Sequence, residues 1–136
     1  MSAGPRIDIV TIFPELVEHF LDGSLLGQAR RDGVLDVGVS DLRSYTMDRH
    51  HSVDDAPFGG GAGMVLRVDV MEQALSGHYD VNDAMTVREQ RHVIALTPGG
   101  RLLDDAYVDE LAAEPAITLL CGRYEGFDER IVEHLA

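Results

Sequence analysis

The sequence predicts an α/β fold: a mostly parallel sheet with helices on both faces. Three observations carry this. Short apolar runs rich in β-branched residues occur at 7–13, 35–39, 92–97 and 117–121. Stretches of helical periodicity separate them, and such alternation marks parallel βα units. Two runs end in glycine-bearing loops, Thr97-Pro98-Gly99-Gly100 and Cys121-Gly122-Arg123-Tyr124-Glu125-Gly126. Ligands of parallel sheets bind beyond the carboxyl ends of strands.

In chain order, 7–13 (IDIVTIF) is the first strand, and Pro14 is well placed to open a helix. Leu16, Val17, Phe20 and Leu21 fall on one face of that helix, which Asp22-Gly23 ends. Leu25, Leu26 and Ala29 suggest a second short helix, with Arg30 and Arg31 in its last turn. Leu35, Val37 and Val39 alternate as a second strand. Residues 42–66 read as a long loop, and loops of that length are commonly functional. Val68, Met71, Ala74 and Leu75 mark a helical face, and 76–90 reads as a polar surface excursion. HVIALT (92–97) and ITLLC (117–121) are strands. A helix at 104–113 has Val108, Leu111 and Ala112 on one side, and 128–135 is a closing helix with Asp128 and Glu129 in its first turn.

The 136 residues fit one domain, and 45% apolar with 26% charged residues is globular composition. No window approaches the ~18 apolar residues of a membrane helix, and residues 1–5 lead into Arg6-Ile7-Asp8 without an apolar signal region. A cytoplasmic protein with no membrane partner is expected. Cys121 is the single cysteine, which excludes an internal disulfide and a multi-cysteine zinc site. The net charge is −13 and all eleven basic residues are arginine. Residues 1–42 carry three Arg against seven acids and residues 68–136 five against fourteen, while 43–67 balance at three and three. A chain this acidic is a poor nucleic-acid binder by bulk electrostatics. The neutral segment, with His50 and His51, is where a local patch could sit.

Gly59-Gly60-Gly61-Ala62-Gly63 allows close backbone approach. It is not a P-loop, because no Lys-Ser/Thr follows; by itself it reads equally as a flexible loop. Thr97-Pro98-Gly99-Gly100 alone reads as an ordinary turn. The 121–126 loop is more informative, since it sets a cation, a ring and a carboxylate between glycines at one strand end. Cys121 reads as a strand residue, with no adjacent base to make it a nucleophile. His50 and His51 are weak as metal ligands. Asp54-Asp55 are either magnesium ligands or turn residues. His19, His78, His92 and His134 read as structural or surface positions.

Together and in order, IFPE at 12–15, DRHHSVDDAPFGGGAGM at 48–64, TPGG at 97–100 and CGRYEGFDER at 121–130 resemble the bacterial tRNA (guanine(37)-N1)-methyltransferases. These are trefoil-knotted SPOUT methyltransferases. The resemblance covers nearly the whole chain. It implies a homodimer that transfers a methyl group from S-adenosylmethionine to N1 of guanine 37 in tRNA, 3′ of the anticodon. It implies cofactor contacts from Leu96, Thr97, Pro98 and Gly99, and from Gly122, Tyr124, Glu125 and Gly126. It implies an RNA-side and dimer-side loop holding Arg49, His50, Asp54, Gly59, Gly60 and Gly61, with Arg123 as a further substrate contact. Mg2+ enters without an assigned site, and no residue is assigned as a metal ligand.

The family pattern continues past Ala136 with a loop that completes the cofactor site and the knot, then a C-terminal tRNA-binding domain. Its catalytic aspartate and partner arginine lie there too, so no catalytic residue is assigned within this chain. Residues 1–136 are therefore expected to be an incomplete S-adenosylmethionine-binding SPOUT domain, truncated before the knot is completed and inactive by itself. The alternative is a non-catalytic cofactor- or RNA-binding module complete at this length. A different nucleotide-binding α/β protein would rest on the glycine loops alone.

Overall fold

The structure is a computed structural model that describes residues 5–46, 53–55, 65–122 and 127–136. Its elements are β1 (Arg6–Thr11), α1 (Pro14–Leu21), α2 (Ser24–Arg31), β2 (Asp36–Asp41), β3 (Asp54–Asp55), β4 (Val65–Leu66), α3 (Val68–His78), α4 (Val87–Gln90), β5 (His92–Ala95), α5 (Asp105–Ala112), β6 (Ala116–Leu120) and α6 (Glu129–His134). Short 3-10 turns lie at Leu42–Tyr45 and Ala84–Thr86.

Four strands pair in the order β2-β1-β6-β5, and every pairing is parallel. The connections β1→β2 and β5→β6 step across the sheet in the same direction. Right-handed crossovers then place α1, α2 and α5 on one face, and the burial pattern agrees. Ile7, Ile9, Val37, Val39 and Leu119 cluster with Val17 and Leu21 of α1. The opposite face carries Val10, Val93 and Leu120, and packs on Val70, Met71, Ala74 and Leu75 of α3, Val87 of α4 and Ile131 of α6. The predicted α/β class, parallel sheet and two-sided helix cover are all present.

Several local expectations need correction. Leu16 and Phe20 of α1 are each 70% exposed, and Leu25 of α2 is 82% exposed; only Val17 and Leu21 of α1 reach the core. The residue of α2 that packs inward is Gly27, where a Cβ would overlap the Asp22 carbonyl. That contact explains how two helices fit so tight a turn. Residues 76–90 are not a polar excursion, because Ala84 and Val87 are buried and Tyr79 and Val81 pack on the core. Val108, Leu111 and Ala112 do not form a core face. No α5 residue is buried, and these three line an open cavity instead. The 42–66 loop contains a minimal antiparallel pair, β3 with β4.

The sequence reading missed a buried ionic network. Strand alternation turns Asp8 of β1 into the α3-side interior, where it is 2% exposed. Its Oδ1 accepts from Arg6 Nη2 at 3.0 Å, and its Oδ2 accepts from Arg91 Nη1 and Tyr79 Oη, both at 3.1 Å. His78 Nε2 lies 3.6 Å from Oδ1, and His78 Nδ1 meets Ser40 Oγ at 3.1 Å. Burial raises the Tyr79 phenol above its ordinary pKa, keeping it a neutral donor. An ionised carboxylate only accepts, so the Tyr79 proton goes to Asp8 and the Thr118 hydroxyl, 2.6 Å away, donates to Tyr79. The Arg91 guanidinium sits 4.3 Å from the Tyr79 ring centre. Removing one member of a buried ion pair strands the others. Asp8→Ala is expected to cost about 2–3 kcal/mol, discounted because both arginines reach solvent; urea denaturation measures it, and a loss under about 0.5 kcal/mol would contradict the network's role.

Asp128 is the second buried carboxylate. It caps α6 by accepting from Arg130 N at 3.0 Å, and pairs with Arg130 Nη2 at 2.7 Å. The hydrogen bond from the Arg130 side chain holds its pKa below the ordinary carboxylate value. A folded-state pKa below the unfolded ~3.9 adds stability that is present above that value and lost as pH falls through the folded one. The stability difference between wild type and Asp128→Asn is expected to be constant above about pH 5 and to shrink below about pH 4. Parallel denaturation curves at all pH values would contradict this.

Candidate functional site

β5 and β6 run side by side in parallel, with Ala95 opposite Leu120. Their carboxyl ends therefore leave the sheet together. Leu96 N donates to Leu120 O at 3.1 Å, which extends the ladder one residue into the 96–100 loop. Cys121 N donates to Val10 O at 2.9 Å and continues β6 along β1. Gly122 follows at the same edge, where a Cβ would stand 3.7 Å from Leu96 O and 3.2 Å from the Phe127 ring. The two glycine-bearing loops thus begin side by side.

The entry to α6 joins this edge to the β3–β4 pair. Leu66 forms a parallel bridge with Phe127, and Asp128 N donates to Leu66 O at 3.1 Å. Arg67 N donates to Val53 O at 2.6 Å. Three separated motif blocks are stitched together here: the flanks of the glycine-rich 48–64 block, the 96–100 loop, and the 121–130 block. Leu66 and Phe127 were not singled out from sequence. Their only sequence signal is position, each being an apolar residue just after a glycine-bearing stretch.

A cavity of ≈ 1170 Å³ opens beside β5. Leu96, Thr97, Pro98 and Gly100 line it from the loop, Tyr107, Val108 and Leu111 from α5, and Ile7, Ile117 and Leu119 from the sheet. It exists because α5 stands off the sheet. Its lining is predominantly apolar, as small-molecule sites commonly are. Asp104 caps α5, accepting from Tyr107 N at 2.8 Å. Cys121 is half-buried and burial raises its thiol pKa, so it is held as a thiol, a poor nucleophile.

Of the residues proposed from sequence, Leu96, Thr97 and Pro98 line the cavity. Gly99 lies in the same turn with open space where a Cβ would be, and Gly122 is at the adjacent strand end. Asp54 pairs through its backbone with Leu66. Arg49, His50, Gly59, Gly60, Gly61, Arg123, Tyr124, Glu125 and Gly126 lie outside the described residues. Among the described residues no group of three or more His, Cys, Asp or Glu could hold a metal ion, and no helix is long and apolar enough to cross a membrane.

Comparison with known proteins agrees with these motifs. A family model described as tRNA (Guanine-1)-methyltransferase TrmD matches residues 5–136. The tRNA (guanine-N(1)-)-methyltransferase of Rhodospirillum rubrum is 44% identical over 128 residues, covering 94% of this chain and 50% of that protein. The enzyme of the same name from Nitratidesulfovibrio vulgaris is 45% identical over 128 residues, covering 94% of this chain and 28% of that protein. The crystal structure of tRNA (m1G37) methyltransferase from Aquifex aeolicus matches with a TM-score of 0.78 at 30% identity, covering 97% of this chain and 57% of that one. The chain spans half or less of the length of these two curated relatives. With the family model matched from residue 5 to residue 136 and the sheet matched in a solved member at 30% identity, the chain belongs to the tRNA (guanine-1)-methyltransferase family, and its sheet is that of the SPOUT fold.

Proposed function

We propose that this chain is the cofactor-binding part of an S-adenosylmethionine-dependent enzyme that methylates N1 of guanine 37 in tRNA. The observation that carries the reading is the shared edge: the 96–100 loop, which lines an apolar cavity, and Gly122 leave adjacent strands side by side. The residues fit the cofactor. The cavity's leucines, proline and tyrosine suit an adenosine, and the glycine-bearing rim lets backbone approach it. Leu96, Thr97, Pro98 and Gly99 would hold it from one loop, and Gly122, Tyr124, Glu125 and Gly126 from the other. S-adenosylmethionine, when bound, supplies a methyl group carried on a sulfonium. This chain's part is to bind, to orient and to keep water from the apolar wall.

N1 of guanine carries a proton, so methylation needs a general base. Among the described residues, the two buried carboxylates are poor choices. Asp8 is engaged by Arg6, Arg91 and Tyr79, and Asp128 is held below the ordinary range by Arg130. Following the family resemblance, the reading assigns the base, and the arginine beside it, to none of residues 1–136. The reading assigns RNA contact to Arg49, His50, Asp54, Gly59, Gly60, Gly61 and Arg123, and tRNA phosphates need further cations to overcome a charge of −13. The exposed Leu16, Phe20 and Leu25 on α1 and α2 support a homodimer, since exposed apolar clusters mark contact surfaces. A cytoplasmic location completes the reading; magnesium is assigned no residue.

In the protein expressed from its complete reading frame, Gly122→Val is expected to abolish S-adenosylmethionine binding by calorimetry. The added side chain would drive Phe127 or the Leu96 carbonyl out of place. Unchanged affinity in a folded variant would contradict the site.

The 136-residue chain alone is expected to transfer no methyl group to unmodified tRNA above a no-enzyme control. Lack of a general base alone costs ~10²–10⁴-fold, and loss of positioning and of phosphate attraction adds to it. Turnover by the purified chain, free of host enzyme, would place the base within it. Cofactor binding without methylation by the complete product would favour the non-catalytic module instead.

A further inference from the structure

We propose that Arg101 is a positioning residue that fixes the 96–103 loop so that its residues can meet the cofactor, a proposal that rests on the cofactor reading above. β5 ends at Ala95 and α5 begins at Asp105, so the intervening chain crosses the cavity mouth without regular structure. It is tied at both ends: Leu96 N donates to Leu120 O at 3.1 Å, and Asp104 caps α5. Near its start it folds on itself, with Gly100 N donating to Thr97 O at 3.3 Å. Its apolar side chains do not anchor it in the core, because Leu102 and Leu103 are both exposed along the open cavity. The middle of the loop is tied to α5 by Arg101. Its two terminal nitrogens donate to both carboxylate oxygens of Glu110, at 3.0 and 3.3 Å. Its guanidinium carbon stands 3.9 Å from the Tyr107 ring centre.

That arrangement is a fork over a carboxylate, stacked on a ring, which holds orientation as well as distance. It is also exposed on both sides. Exposed pairs contribute little to global stability, and no core residue depends on this one. Its consequence is local: it restricts the loop whose Leu96, Thr97, Pro98 and Gly100 line the cavity, and Arg101 itself borders that cavity while it grips the Glu110 carboxylate. Ordering the loop in advance removes an entropic cost from binding. Arg101 thus acts on cofactor affinity through the loop, with no contact to the reacting atoms.

The test uses the protein from its complete reading frame, with Arg101→Ala, Glu110→Ala and the exchange Arg101→Glu/Glu110→Arg. Each single variant is expected to raise the Kd and KM for S-adenosylmethionine about five- to tenfold. The KM for tRNA, kcat at saturating cofactor and the melting temperature should stay within about twofold or a degree or two. The exchanged pair should recover most of the lost affinity. Affinity unchanged in Arg101→Ala would overturn the proposal. So would lost affinity that the exchange fails to restore, since Arg101 would then touch the cofactor directly. If wild type binds no S-adenosylmethionine, the cofactor reading fails by itself, and amide hydrogen exchange at Gly99, Gly100 and Leu102 still decides the loop's dependence on Arg101. Several-fold faster exchange in Arg101→Ala supports that dependence, and unchanged exchange overturns it.

Discussion

A carboxylate in the middle of a parallel sheet has to be neutralised where it stands, and Asp8 draws three parts of the chain directly together to do so. Arg6 comes from its own strand, His78 and Tyr79 from the end of α3, and Arg91 from the residue before β5. Thr118 of β6 joins through Tyr79, and Ser40 of β2 through His78. Each sheet strand, or the residue leading into it, is therefore connected to this one group, β2 and β6 through one intervening side chain. The consequence reaches the site. Arg91, just before β5, reaches across to Asp8 of β1, and β5 pairs with β6 so that Ala95 stands opposite Leu120. The 96–100 loop and Gly122 leave together because the strands entered together. The network lies on the α3 side of the sheet and the cavity on the α5 side, so stability and binding are built on opposite faces of one sheet.

Much of this was legible in the residues. The four sheet strands announced themselves by β-branched runs, while Asp104 and Asp128, read as the first residues of their helices, cap them instead. The α3 face was read almost residue for residue, because its apolar positions point to one core. The α1, α2 and α5 faces were misread for one shared reason. Periodicity reports that a helix has an apolar stripe and does not report what covers it. Leu16, Phe20 and Leu25 face outward, while Val108 and Leu111 face a cavity. The 76–90 stretch was misjudged because its apolar residues are sparse, and Tyr79, Ala84 and Val87 pack singly.

At the site, the motif blocks were legible as blocks and their meeting point was not. Nothing in one dimension says that Leu66 bridges Phe127, yet that contact closes the end of the glycine-rich block on the entry to α6. Asp8 carried a signal that went unread: a carboxylate alternating with apolar residues in a buried strand requires cations, and Arg6 and Arg91 were available.

The family relationship and the geometry converge on the edge shared by β5 and β6. The most direct measurement is a crystal structure of the protein from its complete reading frame with S-adenosylmethionine or its demethylated product. The adenine ring is expected against the backbone of Leu96–Gly100 and Gly122, at the mouth of the cavity under α5. A ligand bound on the opposite face of the sheet, near Asp8, or one that contacts neither loop, would contradict it.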